Sequence, residues 1–164
     1  MYLLVMLDRI RTIADYQFGR GAGEALFPDD ARFILGRTGR VRQILEGEKR
    51  IATLRASDGF LILSAHGGQK LKEALPYPKK RVVMDADAAP FVAKGKTAFC
   101  KFVVDCDPEI RALEEVILVD ADDNLLATGQ ALLCAAEMRA FKKGIAVSVR
   151  YGVKGKEMAA EPAE

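Results

Sequence analysis

Lys80 to Asp107 reads KRVVMDADAAPFVAKGKTAFCKFVVDCD, and the fold of the second half of the chain turns on it. A short apolar run, Val82-Val83-Met84, follows the basic pair Lys80 and Arg81. Asp85 or Asp87 can then cap a helix, and Pro90 is tolerated only in its first turn. The helix must stop at Lys94-Gly95-Lys96, because glycine takes the left-handed turn after a helix without a Cβ penalty. From Thr97 to Val104 the run TAFCKFVV is β-prone. The expected order is therefore strand, helix, turn, strand. The turn Lys94-Gly95-Lys96-Thr97, with two cations and backbone N–H groups, is a candidate seat for a phosphate backbone or an RNA 3′ end. The plain alternative is a helix C-cap whose lysines sit favourably at the negative helix end.

Downstream, a turn is expected at Asp105-Cys106-Asp107-Pro108, then the strand EEVILVD, a hairpin turn at Ala121 to Asn124 and the strand LLATGQALLC. Ala135 to Phe141 reads as a turn or short helix, and Lys142-Lys143-Gly144 leads into a last alternating strand, Ile145 to Tyr151. Short strands separated by turn signals suggest a small β-barrel carrying one or two helices. Gly129 sits mid-strand, where glycine weakens a sheet unless a bulge or a close backbone approach needs it.

Upstream, Pro76-Tyr77-Pro78 followed by Lys79-Lys80-Arg81 marks a domain boundary, giving an N-terminal domain over 1–78, a second over 79–155 and a frayed tail over 156–164. In the first domain Leu3, Met6, Leu7, Ile10, Ile13 and Ala14 recur at three- and four-residue steps, an amphipathic helix. The glycine-rich ADYQFGRGAGEALFP ends it. RFILGR, VRQILEG, KRIATLR and FLILS then read as an antiparallel meander, with turns at Thr38-Gly39, Glu46-Gly47-Glu48 and Ser57-Asp58-Gly59. Ala65 to Leu75 is a short helix. The fold class is α+β: an α+β domain with an antiparallel sheet, then a β-barrel.

Half of the 164 residues are hydrophobic and 29% are charged, an ordinary globular balance, and the net charge of +2 does not by itself argue for nucleic acid. Its distribution says more: residues 1–80 hold 14 Lys/Arg against 9 Asp/Glu, whereas residues 81–164 hold 11 against 14. Arg20, Arg37, Arg40, Arg42 and Arg55 are candidates for a phosphate-binding face, each individually a solvated surface residue by default. Three cysteines without a C-x-x-C pair and one histidine make a poor zinc inventory, so no metal and no cofactor are expected. Reduced cysteines fit a cytoplasmic protein. MYLLVM has no basic region before it and is interrupted by Asp8, Arg9 and Arg11, which reads as neither a signal peptide nor a membrane span. His66 has no catalytic partner by spacing. Asp120, Asp122 and Asp123 lack the Gly and terminal Glu of a calcium loop, and a hairpin turn explains them. Gly19-Arg20-Gly21-Ala22-Gly23 lacks the strand of a dinucleotide fingerprint.

The second half resembles a PUA domain, the small RNA-binding pseudo-barrel. The match rests on RVVMDADAAPFV, Lys94-Gly95-Lys96, VILVDADDNLLATGQALL and KKGIAVSVRYG. The first half, through Ile13 to Gly19 with Gly21-Ala22-Gly23, Arg40-Val41-Arg42, Ala52 to Arg55 and Asp58-Gly59, resembles the domain preceding PUA in archaeal archaeosine tRNA-guanine transglycosylases. Lys101-Phe102-Val103 with Asp107-Pro108-Glu109 belongs to the same pattern. The resemblance implies RNA, and tRNA at its acceptor stem or 3′ end, as the partner. It nominates Lys80, Arg81, Phe99, Lys101, Arg150 and Tyr151 beside Lys94, Gly95, Lys96 and Thr97. Those transglycosylases also carry a large zinc-binding catalytic domain with catalytic aspartates, for which 164 residues leave no room. The expectation is therefore a non-catalytic tRNA-binding chain, acting beside a separate tRNA-modifying subunit. A small RNA-modifying enzyme and a protein-interaction module on the same fold are the alternatives. Oligomeric state is left open.

Overall fold

A computed structural model describes residues 2–155, so the expected tail over 156–164 lies outside the described residues. The chain divides into two compact units, one ending at Ala74 and the other beginning at Leu75. In the first, helix α1 (Tyr2–Phe18) buries Met6, Leu7, Ile10, Ala14 and Phe18, the stripe that its three- and four-residue spacing produces. It runs a turn beyond the stripe legible to Ala14, because Phe18 extends the buried face before Gly19 breaks it at φ 119°. A second helix, α2 (Ala22–Leu26), forms inside what reads as a glycine-rich break. Asp15 accepts the Gly23 N–H at 2.7 Å, and the Arg11 guanidinium donates twice to the Phe27 carbonyl at 3.0 and 2.6 Å, which folds α2 back on α1.

The expected meander is present as β1 (Arg32–Leu35), β2 (Val41–Glu46), β3 (Lys49–Leu54) and β4 (Leu61–Leu63), antiparallel in that order. Helix α3 (Ala65–Ala74) follows, and its Leu71 joins Ile44, Ile51, Leu61 and Leu63 in the buried set. His66 has a structural part here. Its Nε2 lies 2.9 Å from Glu46 Oε1, and the Lys70 ammonium donates to the same oxygen at 2.9 Å.

The second unit comprises β5 (Arg81–Met84), α4 (Ala89–Ala93), β6 (Ala98–Phe99), β7 (Val103–Cys106), β8 (Glu115–Val119), β9 (Leu125–Ala131), α5 (Ala135–Ala140) and β10 (Ile145–Gly152). Its six strands form one sheet in the order β6-β10-β9-β8-β5-β7, rolled into a pseudo-barrel around Val82, Met84, Val92, Val116, Leu118, Met138 and Val147. All neighbours are antiparallel except β5 and β8, where Val82 stands opposite Leu118. The single strand expected from Thr97 to Val104 is in fact two. A 3-10 turn at Cys100–Phe102 separates them, because that segment changes partner. Phe99 pairs with Ile145 of β10 and the Cys100 N–H donates to the Gly144 carbonyl at 3.0 Å, whereas the Phe102 carbonyl accepts from Asp85 N–H at 2.9 Å and β7 pairs with β5. The expected turn at Asp105 also starts later: Cys106 still pairs with Val82, and Asp107 makes the turn by accepting the Glu109 N–H. At Gly129 a Cβ would stand 2.4 Å from the Ser148 carbonyl oxygen, so β9 and β10 approach only because none is there.

The Lys70 ammonium, and next the His66 ring, hold the Glu46 carboxyl below the ordinary glutamate value of 4.5. A depressed carboxylate contributes stability that is present above the unfolded pKa and is lost as pH falls through the folded one. Glu46→Gln should therefore cost under ~1 kcal/mol at neutral pH, since the group is well exposed, and should flatten the acid limb below about pH 4.5 in urea midpoints measured against pH.

Candidate nucleic-acid interface

The site is built on the C-terminus of α4. Asp85 prepares the helix by accepting the Ala88 N–H at 2.8 Å, and Asp87 takes no part in that bond. Gly95 then turns left-handed at φ 94°. The Lys96 N–H donates to the Phe91 carbonyl at 3.0 Å and the Gly95 N–H to the Val92 carbonyl at 2.9 Å, the paired bonds of a Schellman cap. These two amides are thereby consumed. The expectation that the turn offers backbone N–H groups to a phosphate is corrected at Gly95 and Lys96: what it offers outward is the exposed side chains of Lys94, Lys96 and Thr97.

The end of β10 completes the cluster. A Cβ on Gly152 would lie 2.3 Å from the Ala93 carbonyl oxygen and 2.5 Å from the Gly95 nitrogen. Only glycine lets β10 pass this close to the helix end. The next turn bonds there too, with the Lys154 N–H donating to the Ala93 carbonyl at 2.8 Å and the Gly155 N–H to Gly152 at 3.0 Å. Lys154, which sequence reasoning assigns to a fraying end, is thus tied by its backbone to the residue that precedes Lys94. Its signal was the Gly-Val-Lys-Gly spacing after Tyr151, a glycine-framed lysine like Lys94-Gly95-Lys96. Among the described residues none of Lys94, Lys96 and Lys154 has an ion pair. Three cations therefore stand around one rigid cap.

The remaining nominated residues divide. Phe99 is 42% exposed on the edge strand β6, opposite Ile145, which is equally exposed, so the two form an apolar strip beside the cap. Lys101 is exposed, its ammonium 4.9 Å from the Phe102 ring centre. Tyr151 is half-buried opposite Thr128. Arg150 is committed to Glu115 of β8 in a close ion pair. Lys80 and Arg81 lie elsewhere, at the end of β5 that is remote in sequence from α4. The Lys80 ammonium donates to Glu114 at 2.7 Å. Arg81 is not a surface cation at all: it is 2% exposed, donates to both Asp123 oxygens and to the Leu75 and Lys79 carbonyls, and lies over the Tyr77 ring. Sequence reasoning saw a basic pair leading a strand and could not see that the β8–β9 hairpin returns Asp123 to meet it. Asp120 is likewise spent inside that hairpin, accepting N–H bonds from Asp122 and Asn124 at 2.9 Å.

Among the described residues no group of three or more His, Cys, Asp and Glu side chains could hold a metal ion, and no helix is long and apolar enough to cross a membrane. Cys100 and Cys106 are buried and unpaired, and burial pushes both thiols up.

Two family descriptions cover the chain in succession: the patch-forming domain C2 of tRNA-guanine transglycosylase over residues 8–78 and the PUA domain over residues 80–153. The tRNA-guanine(15) transglycosylase of Methanothermobacter thermautotrophicus is 53% identical over 147 residues, which is 89% of this chain and 22% of that protein. The corresponding protein of Pyrococcus furiosus is 51% identical over 148 residues, 90% of this chain and 25% of that one. The chain thus spans at most about a quarter of these relatives and matches their C-terminal portion. Among solved structures, a hypothetical protein of Pyrococcus horikoshii is similar with a TM-score of 0.72 at 21% identity, over 93% of this chain and 92% of that one. A conserved PUA domain protein of Thermoplasma acidophilum is similar with a TM-score of 0.59 at 19% identity, over 87% and 89%. These two likenesses are of fold alone.

Removing the Arg81 guanidinium strands the Asp123 carboxylate and two inward carbonyls. Arg81→Ala should destabilise the second unit by about 3 kcal/mol, read as a lower urea midpoint; a midpoint equal to that of the unmodified chain would contradict the buried role.

Proposed function

The chain is a PUA-domain protein carrying the C2–PUA pair of the archaeal tRNA-guanine transglycosylases, and from that premise we propose that it binds tRNA near the acceptor stem without performing chemistry of its own. The observation that carries this reading is the α4 cap. Lys94, Lys96 and Lys154 are exposed, unpaired among the described residues, and held by a Schellman turn and by Gly152. Cations fixed by backbone geometry neutralise phosphates with little further loss of chain entropy, and the release of counterions from the RNA supplies the driving force. The neighbouring Phe99 and Ile145 offer apolar surface on which an unpaired 3′ nucleotide can stack, since every base has a π-face. Thr97 and Lys101 flank that strip. Arg150, spent on Glu115, holds β10 against β8 and so acts on the site through the barrel.

The finer reading is a tRNA-docking subunit working beside a catalytic chain that modifies the tRNA. Its support is twofold. The chain matches only the C-terminal quarter of relatives named as transglycosylases, and Tyr2, Leu3, Leu4 and Val5 stand 63–65% exposed at the start of α1. Four consecutive solvent-facing apolar side chains suit a protein partner. Guanine exchange catalysed by the isolated chain would overturn the non-catalytic part.

Filter binding with tRNA tests the site. Lys94→Glu with Lys96→Glu should weaken binding at least tenfold at moderate salt and leave the melting curve unchanged, because neither side chain has a partner to lose. Lys154→Glu should act in the same direction with a smaller effect. Unchanged affinity in the double variant sinks the α4 site.

A further inference from the structure

The first unit contains a cleft of about 790 Å³ lined by Arg9, Arg37, Arg40, Arg42 and Arg55, with no carboxylate among its lining residues. Topology explains the gathering. In a four-stranded meander the β1–β2 and β3–β4 turns fall at the same end of the sheet, and the β2–β3 turn falls at the other. The β1–β2 turn brings Arg37 and Arg40 and runs into Arg42, while the β3–β4 turn brings Arg55. Arg9 comes from α1, on the face it shares with Met6 and Ile10 by helical spacing.

The β1–β2 tip is a defined turn. The Gly36 N–H donates to the Arg40 carbonyl at 2.8 Å and the Gly39 N–H to the Gly36 carbonyl at 3.0 Å, which fixes the backbone of Arg37 and Arg40 while their side chains stay exposed. Arg55 is answered by Asp58, at 3.0 and 2.6 Å. Arg9, Arg37, Arg40 and Arg42 have no ion pair and no side-chain hydrogen bond among the described residues. Four like charges around one concavity repel each other, and the fold supplies nothing inside the cleft to offset them. An anion with several charges would. Guanidinium forks match phosphate oxygens two at a time, which lysine cannot do. Met6, Ile10, Val41 and Leu54 give the cleft an apolar floor, which suits the sugar and base faces between phosphates.

We propose that this cleft is a second RNA site, separate in its residues from the α4 cap, which takes consecutive phosphodiesters of an RNA strand. The proposal rests on the RNA-binding reading above and adds to it a contact in the unit whose net charge is the more positive. Cations spread from α1 to the hairpin tip favour a run of phosphates over a single one.

The test is a tRNA titration of the full chain at several salt concentrations, comparing Arg37→Gln with Arg40→Gln against Lys94→Glu with Lys96→Glu. Both arginines sit in an exposed turn built by Gly36 and Gly39, so the melting curve should not move. The arginine variant should lose affinity at least fivefold, and its plot of log affinity against log salt should become shallower by about two, at roughly 0.9 for each lost phosphate contact. Affinity and slope equal to those of the unmodified chain, with the lysine variant still weakened, would overturn the cleft and leave the α4 reading standing. The reverse pattern would keep the cleft and remove the α4 site. No tRNA binding by the unmodified chain removes both. Tight binding of a nucleoside triphosphate, lost in the arginine variant while tRNA binding is kept, would make the cleft a small-molecule site and overturn the proposal.

Discussion

The pseudo-barrel depends on one segment that belongs to two strands. Ala98 to Cys106 pairs first with β10 and then, after a single 3-10 turn, with β5, and these partners lie at opposite ends of the sheet order. One covalent chain therefore joins the two edges. The Cys100 N–H to Gly144 bond and the Asp85 N–H to Phe102 bond are the two hand-over points. Because Asp85 also accepts the Ala88 N–H, closure of the barrel and the start of α4 are set by the same residue. The C-terminus of α4 is set in turn by β10, through the missing Cβ of Gly152. The lysines at the helix end inherit their positions from the closure of the sheet.

That dependence explains why charge statistics are a poor guide to the site. The second half of the chain is the more acidic, yet many of its acidic groups are spent internally. Asp107 holds the Lys80 and Glu109 N–H groups, Glu115 holds Arg150, Asp123 holds Arg81, and Asp120 builds a hairpin. Glu137 caps α5 through the Cys134 N–H, which keeps its carboxyl below the ordinary glutamate range. Internal pairing consumes anions and leaves particular lysines unanswered. Net charge counts both kinds alike.

Much of the fold was legible in the residues. The helical stripe of α1, the four-stranded meander, the stop at Gly95 and the glycine within β9 each follow from local periodicity or from a turn that only glycine makes. The site was legible in part. Lys94 and Lys96 flank a glycine whose role is local, so their exposure could be read from sequence. Arg81 and Arg150 could not be, because the carboxylates that engage them arrive from 42 and 35 residues away. Lys154 was missed for the same reason, since the bond that anchors it reaches back to Ala93. The division of Thr97 to Val104 was hidden too. An unbroken β-prone run does not announce that its two halves have different partners.

The central claim is that RNA meets this protein at the α4 cap, and amide chemical-shift mapping with tRNA addresses it most directly. The account predicts that the largest perturbations at low salt fall on Ala93 to Thr97 and on Gly152 to Gly155, and that they fade as salt is raised. Saturable tRNA binding that leaves both segments unperturbed, or no binding at low salt, would contradict it.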